Sequence, residues 1–95
     1  MDRDELGALA AFVAVAEERS FTRAAKRLGV SPSALSHAVR GLEERMGVRL
    51  LARTTRSVAR TDAGEQLFTR LKPALEAVRR GAAAGVQPPE VDGEL

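Results

Sequence analysis

The 95-residue sequence predicts a mainly α-helical domain in which three helices and a two-stranded wing precede a long fourth helix. Three observations carry that prediction. Residues 20–40 place a short helix, a glycine turn and a proline-started helix in immediate succession. From Ser31 onward, Leu35, Val39, Leu42 and Met46 recur at helical spacing and form an inward stripe, while Ser33, Ser36, His37 and Arg40 recur on the opposite side. After Gly47 the pattern shortens to alternation around a polar turn, and helical spacing returns from Asp62. Together these features spell a winged helix-turn-helix followed by a long helix.

The first helix is expected from about Asp4 to Glu18, where Leu6, Leu9, Ala10, Val13 and Ala16 give a wide apolar stripe and the early acids suit the positive end of the helix dipole. It reads as scaffold. The second spans Phe21 or Thr22 to Leu28, with Ser20 or Thr22 as its cap and Ala24, Ala25 and Leu28 facing inward. Gly29 can take the left-handed conformation that ends a helix, and Val30 can fill the corner. Ser31 can then cap a third helix, about Pro32 to Met46, whose first position tolerates proline because the N–H there lacks an intrahelical partner anyway.

The wing is expected between Val48 and Thr61, with Arg53 and Arg56 flanking Thr54 and Thr55 near its tip. Thr61 caps a fourth helix carrying Leu67, Phe68, Leu71, Leu75 and Val78. Pro73 removes a backbone donor, so a kink or a helix boundary is expected near Arg70 to Pro73. From Gly81 the composition turns to glycine, alanine, proline and acid, which cannot bury apolar area. The expected organisation is therefore a winged helix-turn-helix over 1–61, a linker and dimerisation helix over 62–81, and a flexible tail over 82–95.

A chain of this length is one domain, burying roughly 60 to 65% of the surface its unfolded form exposes. It contains no cysteine and one histidine, which leaves no disulfide framework and no metal-ligand set, so no cofactor or metal is expected. Leu9 to Ala16, the longest apolar run, is far short of the ~18 residues that suggest a membrane span. A soluble, cytoplasmic protein is the reading. No nucleophile, base and orienting partner are brought together by spacing, and Gly41, Gly47 and Gly64 are too scattered for a phosphate loop, so catalysis is not expected.

The charge is unevenly spread. Residues 19–60 hold ten Lys or Arg against two acids, a balance of +8, and the remainder holds five against eleven, a balance of −6. A concentrated positive field attracts a polyanion and speeds its encounter in a salt-dependent way. The alternative is a merely solvated basic face. In a helix-turn-helix the early residues of the second of its helices meet base edges in the major groove, which makes Pro32, Ser33, Ser36 and His37 the base-reading candidates, Ser36 and His37 foremost. Candidates for phosphate or minor-groove contact are Thr22, Arg23, Ser31, Arg40, Arg53, Thr54 and Arg56.

The stripe of Leu67, Phe68, Leu71, Leu75 and Val78 can bury itself only partly within one small domain, so a homodimer through residues 62–80 is expected, with reading helices about 34 to 36 Å apart. The competing reading has Leu71 and Leu75 simply covering the monomer core. From another class, the rival function is a dimeric protein-interaction module without sequence-specific DNA binding. RNA or single-strand binding is disfavoured because Phe12, Phe21 and Phe68, the only aromatics, sit at expected core positions.

The chain closely resembles the amino-terminal DNA-binding region of LysR-type transcriptional regulators over about Leu6 to Val78. The resemblance rests on Ala11-Phe-Val-Ala-Val-Ala-Glu-Glu, Ser20-Phe-Thr-Arg-Ala-Ala-Lys-Arg-Leu-Gly-Val-Ser, Leu42-Glu-Glu-Arg-Met-Gly-Val-Arg-Leu-Leu-Ala-Arg-Thr and Thr61-Asp-Ala-Gly. It implies a winged helix-turn-helix, dimerisation through the linker helix, and binding to interrupted palindromes in promoter DNA. A tetramer is implied if a full-length regulator exists. Many relatives place glutamine directly after the capping serine and arginine where His37 stands, whereas this chain has Pro32, Ser33 and His37. Relatives usually continue into a larger effector-binding domain. That domain is absent here, so no small-molecule effector is expected, and the chain reads as an isolated domain, an engineered fragment or a naturally shortened regulator.

Overall fold

The computed structural model describes residues 3–54 and 57–83. Its elements run α1 (Arg3–Glu18), α2 (Phe21–Leu28), α3 (Pro32–Met46), β1 (Leu51–Arg53), β2 (Val58–Arg60) and α4 (Asp62–Ala83). The mainly helical architecture, with an antiparallel two-stranded wing and a long last helix, is the one the sequence predicts.

The six consecutive residues Ala11 to Ala16 of α1 are all buried, so this stretch is enclosed on every side, as a helix apolar all round must be. It packs against α2, α3, α4 and β2. Ala24 and Ala25 of α2 lie against it, small enough to let the helices approach closely. Leu35, Val39 and Leu42 of α3 complete the core with Leu50, Leu51 and Val58. Between α1 and α2 the chain turns at Arg19, which adopts φ 55°, a left-handed conformation that glycine takes more readily.

Four apolar side chains depart from their expected places. Leu6, Leu28 and Met46 stand 40–47% exposed, and Val30 does not fill the corner after α2. The reason is positional. Leu6 lies near the start of α1, Leu28 ends α2 and Met46 ends α3, where the packed neighbour no longer extends far enough to cover the apolar side. Val30 instead contributes its backbone, donating its N–H to the Ala25 carbonyl at 3.0 Å.

The path from α3 to the wing is held by Glu43. Gly47 takes φ 71° and donates its N–H to the Glu43 carbonyl at 2.8 Å. The Glu43 carboxylate reaches across the loop, where Oε2 accepts from the Leu50 N–H at 2.8 Å and the Leu51 N–H at 3.1 Å. In the wing, Leu51 pairs with Arg60, Ala52 with Ala59 and Arg53 with Val58. Leu51 and Val58 turn inward, and the other strand residues face outward or lie half-buried.

Thr61 joins wing and last helix from both sides. Its Oγ1 accepts from the Gly64 N–H at 3.0 Å and donates to the Arg49 carbonyl at 2.6 Å, while its own N–H donates to the Leu50 carbonyl. Helix α4 then runs through Pro73 without a break, so the boundary expected near Arg70 to Pro73 does not occur. Proline removes only one donor from a 22-residue helix, and Leu71 and Leu75 pack against the core on either side of it. The helix also takes in residues 82 and 83, expected in the tail, and the rest of that tail, 84–95, lies outside the described residues.

Candidate nucleic-acid interface

Both ends of the turn between α2 and α3 are fixed by local chemistry. Ser20, extended at φ −159° and ψ 125°, accepts the Arg23 N–H on its side chain and so is the cap of α2, leaving Thr22 exposed in the first turn. Gly29 ends α2 in the left-handed region at φ 72° and donates its N–H towards the Ala25 and Lys26 carbonyls. Ser31 caps α3, its Oγ accepting from the Ala34 N–H at 3.1 Å, and Pro32 follows as the first helical residue.

This geometry displays the first half of α3. Pro32, Ser33, His37 and Arg40 are exposed, while Leu35 and Val39 on the reverse side are buried. No acid occurs between Pro32 and Arg40. Arg40 has no ion-pair partner among the described residues. The Ser33 hydroxyl lies 3.4 Å from that of Ser31.

Ser36 is placed differently from its neighbours. It is half-buried, and its Oγ accepts from Arg53 Nη2 at 2.6 Å. The Arg53 guanidinium also lies 4.0 Å from the Phe21 ring centroid, so wing, α2 and α3 meet at this side chain. Phe21, Ser36, Arg40, Arg49 and Arg53 line an open groove between α3 and the wing, together with the acids Glu43 and Glu44 at the end of α3. Thr54 closes the wing turn, donating its hydroxyl to the Ser57 carbonyl and accepting the Ser57 N–H, both at 2.9 Å. Arg56 lies outside the described residues.

The positive field is less lopsided in space than along the chain. Arg23 Nε lies 3.9 Å from the Glu18 carboxylate, and Arg27 bridges Glu17 and Glu18 at 2.8 and 3.2 Å. Arg60 pairs with Glu65 at 3.0 Å and covers the Phe68 ring at 4.0 Å. Acids from outside the basic stretch thus neutralise part of it, away from α3. At the same junction Lys72 of α4 approaches Glu17 at 3.1 Å. Burial works to raise the Glu17 pKa, but hydrogen bonds and charge from Arg27 and Lys72 bring it below the usual carboxylate value.

Of the dimer candidates, Leu67, Phe68, Leu71 and Leu75 are half-buried against the chain's own core, whereas Val78 is 64% exposed. The reading that Leu71 and Leu75 cover the monomer core is therefore partly realised. Sequence reasoning missed Glu43, whose acidity alone did not reveal an inward carboxylate, and the role of Phe21 beneath Arg53. It also gave no structural reason for Gly64, which is buried against Leu50. Among the described residues no cluster of potential metal ligands occurs, and no helix is long and apolar enough to cross a membrane.

Residues 6–65 match the family described as bacterial regulatory helix-turn-helix protein, lysR family. The transcriptional regulator PgrR of Escherichia coli K12 is 57% identical over 84 residues, which cover 88% of this chain and 28% of PgrR. A probable hydrogen peroxide-inducible genes activator of Mycobacterium xenopi is 49% identical, covering 88% of this chain and 46% of that protein. The chain thus spans less than half the length of these relatives. Among solved structures, the BenM DNA-binding domain in complex with catB site 1 DNA is 35% identical with a TM-score of 0.77, covering 90% of this chain and 91% of that one. The corresponding CbnR–DNA complex is 33% identical with a TM-score of 0.74, covering 90% and 94%.

Proposed function

Because the chain belongs to the LysR family of bacterial helix-turn-helix regulators, we propose that it binds double-stranded DNA sequence-specifically and serves transcriptional control by docking α3 in the major groove. The observation that carries this reading is the asymmetry of α3. Its apolar side is buried at Leu35, Val39 and Leu42, and its first half presents Pro32, Ser33, His37 and Arg40 outward with no acid among them. Such a face suits a surface that combines phosphate charge with hydrogen-bonding base edges. The similarity to DNA-bound domains across nine-tenths of the chain supports the same docking mode.

In this reading Pro32, Ser33, Ser36 and His37 meet base edges, and Thr22, Arg23, Ser31, Arg40, Arg53, Thr54 and Arg56 serve the backbone or the adjacent minor groove. Two copies pair through α4, with Val78 as the most exposed apolar member of its stripe, and so recognise an interrupted palindrome. The protein works by binding alone, without a catalytic step, in the bacterial cytoplasm. Selection of bound duplexes from a random pool tests the proposal. Two related half-sites with a fixed spacing are expected, and recovery of unenriched sequence would favour an interaction module instead.

A further inference from the structure

A serine hydroxyl carries one hydrogen and two lone pairs, and free in solvent it can donate or accept towards a ligand. Ser36 does not have that freedom. Arg53 Nη2 donates to its Oγ at 2.6 Å, and the same guanidinium lies over the Phe21 ring at 4.0 Å. The attraction between the guanidinium and the ring face holds the head group of Arg53 beside Phe21, within hydrogen-bonding reach of Ser36. A cation bonded to one lone pair turns the hydroxyl hydrogen away from itself. It also polarises the O–H group, making it a better donor. Ser36 lines a groove open between α3 and the wing, which gives a ligand a route to it.

We propose that Arg53 is a positioning residue for base recognition: held by Phe21 and bonded to Ser36, it fixes the Ser36 hydroxyl as a hydrogen-bond donor towards an acceptor on a base edge. This rests on the duplex-reading role of α3 proposed above. In the major groove the purines offer N7, guanine adds O6 and thymine offers O4, whereas cytosine presents its N4 amino donor. An oxygen that already accepts from a cation keeps one lone pair but is a poorer acceptor through it, so the hydroxyl favours donation and disfavours cytosine on the contacted strand. The wing, in this arrangement, shapes what α3 reads without itself touching that base.

The test selects bound duplexes from a pool randomised across one half-site, using the unaltered protein, Ser36→Ala, Arg53→Lys, their combination and Phe21→Leu. Lysine keeps the charge but has no planar fork, and leucine keeps an apolar side chain but has no ring face. Arg53→Lys and Phe21→Leu are expected to relax the rejection of cytosine at the base pair that Ser36→Ala relaxes, by roughly fivefold or more. The combined variant should be no more relaxed there than Ser36→Ala alone. Thermal melting identifies variants that fold, and Phe21→Leu carries the test where Arg53→Lys does not. If Arg53→Lys and Phe21→Leu leave the preference at the Ser36 base pair unchanged, whatever the overall affinity, or relax a different base pair, the proposal is overturned while the duplex reading stays intact. Absence of any base preference in the unaltered protein overturns both.

Discussion

A Cβ on Gly64 would collide with the carbonyl oxygen of Leu50 and lie only 2.9 Å from its carbonyl carbon. The start of α4 is thus laid directly against the backbone entering the wing, and Thr61 bonds to the same stretch at Arg49 and Leu50. Gly64→Ala is expected to destabilise the fold by about 1–3 kcal/mol, since backbone on both sides must shift. A chemical denaturation midpoint equal to that of the unaltered protein would show that the two segments separate freely.

Glu43 should matter through its carboxylate oxygen rather than its exposure to DNA. Glu43→Ala leaves the N–H groups of buried Leu50 and Leu51 without their acceptor, at about 1–3 kcal/mol for each one that water does not reach. Glu43→Gln retains an amide oxygen and should lose less. The ordering Ala worse than Gln, read from urea midpoints at constant slope, checks the assignment. Equal losses would mean that charge, not acceptance, is what counts.

The ion pairs of Glu17 predict an acid-dependent junction between α1, α2 and α4. Because the folded-state pKa is lowered, the contribution is fully present above the ordinary carboxylate pKa and is lost as pH falls through that range towards the lower folded value. Glu17→Gln should therefore flatten part of the acid limb of the stability profile and change little in its shape at neutral pH. Melting curves taken across that range decide the matter, and an unaltered acid limb would contradict it.

On DNA, His37 and Arg40 should fail differently. His37→Ala is expected to change base preference, a good base contact being worth about 1–3 kcal/mol. Arg40→Ala should weaken specific and random duplexes alike and lower the salt slope by about one unit. Titrations at several salt concentrations separate the two, and a salt slope unchanged by Arg40→Ala would remove its phosphate role.

Pairing through α4 is best tested at Val78, which is largely exposed, rather than at Leu71, which also packs on the monomer core. Val78→Glu should favour monomers in sedimentation and weaken binding to a palindrome far more than to a half-site, with the melting temperature of the monomer retained. An undiminished dimer would exclude Val78 from the interface.

What the sequence determined by itself was whatever short-range chemistry settles. Gly29, Ser31 and Pro32 mark helix ends because capping acts within a few residues, although the choice of Ser20 over Thr22 as the cap of α2 came from the structure, and the inward positions of Leu35, Val39 and Leu42 follow from helical spacing alone. The exposed face of α3 was legible for the same reason. Tertiary structure decided the rest. Spacing names the side of a helix but not how far a neighbour covers it, so Leu28 and Met46 stay exposed, and packing around Leu71 and Leu75 carries α4 through Pro73. The inward turn of Glu43, the bare approach of Gly64 to Leu50 and the meeting of Arg53 with Phe21 and Ser36 join residues 7 to 32 positions apart. Such contacts exist only once the elements have docked, because their energies depend on distance in space and not along the chain.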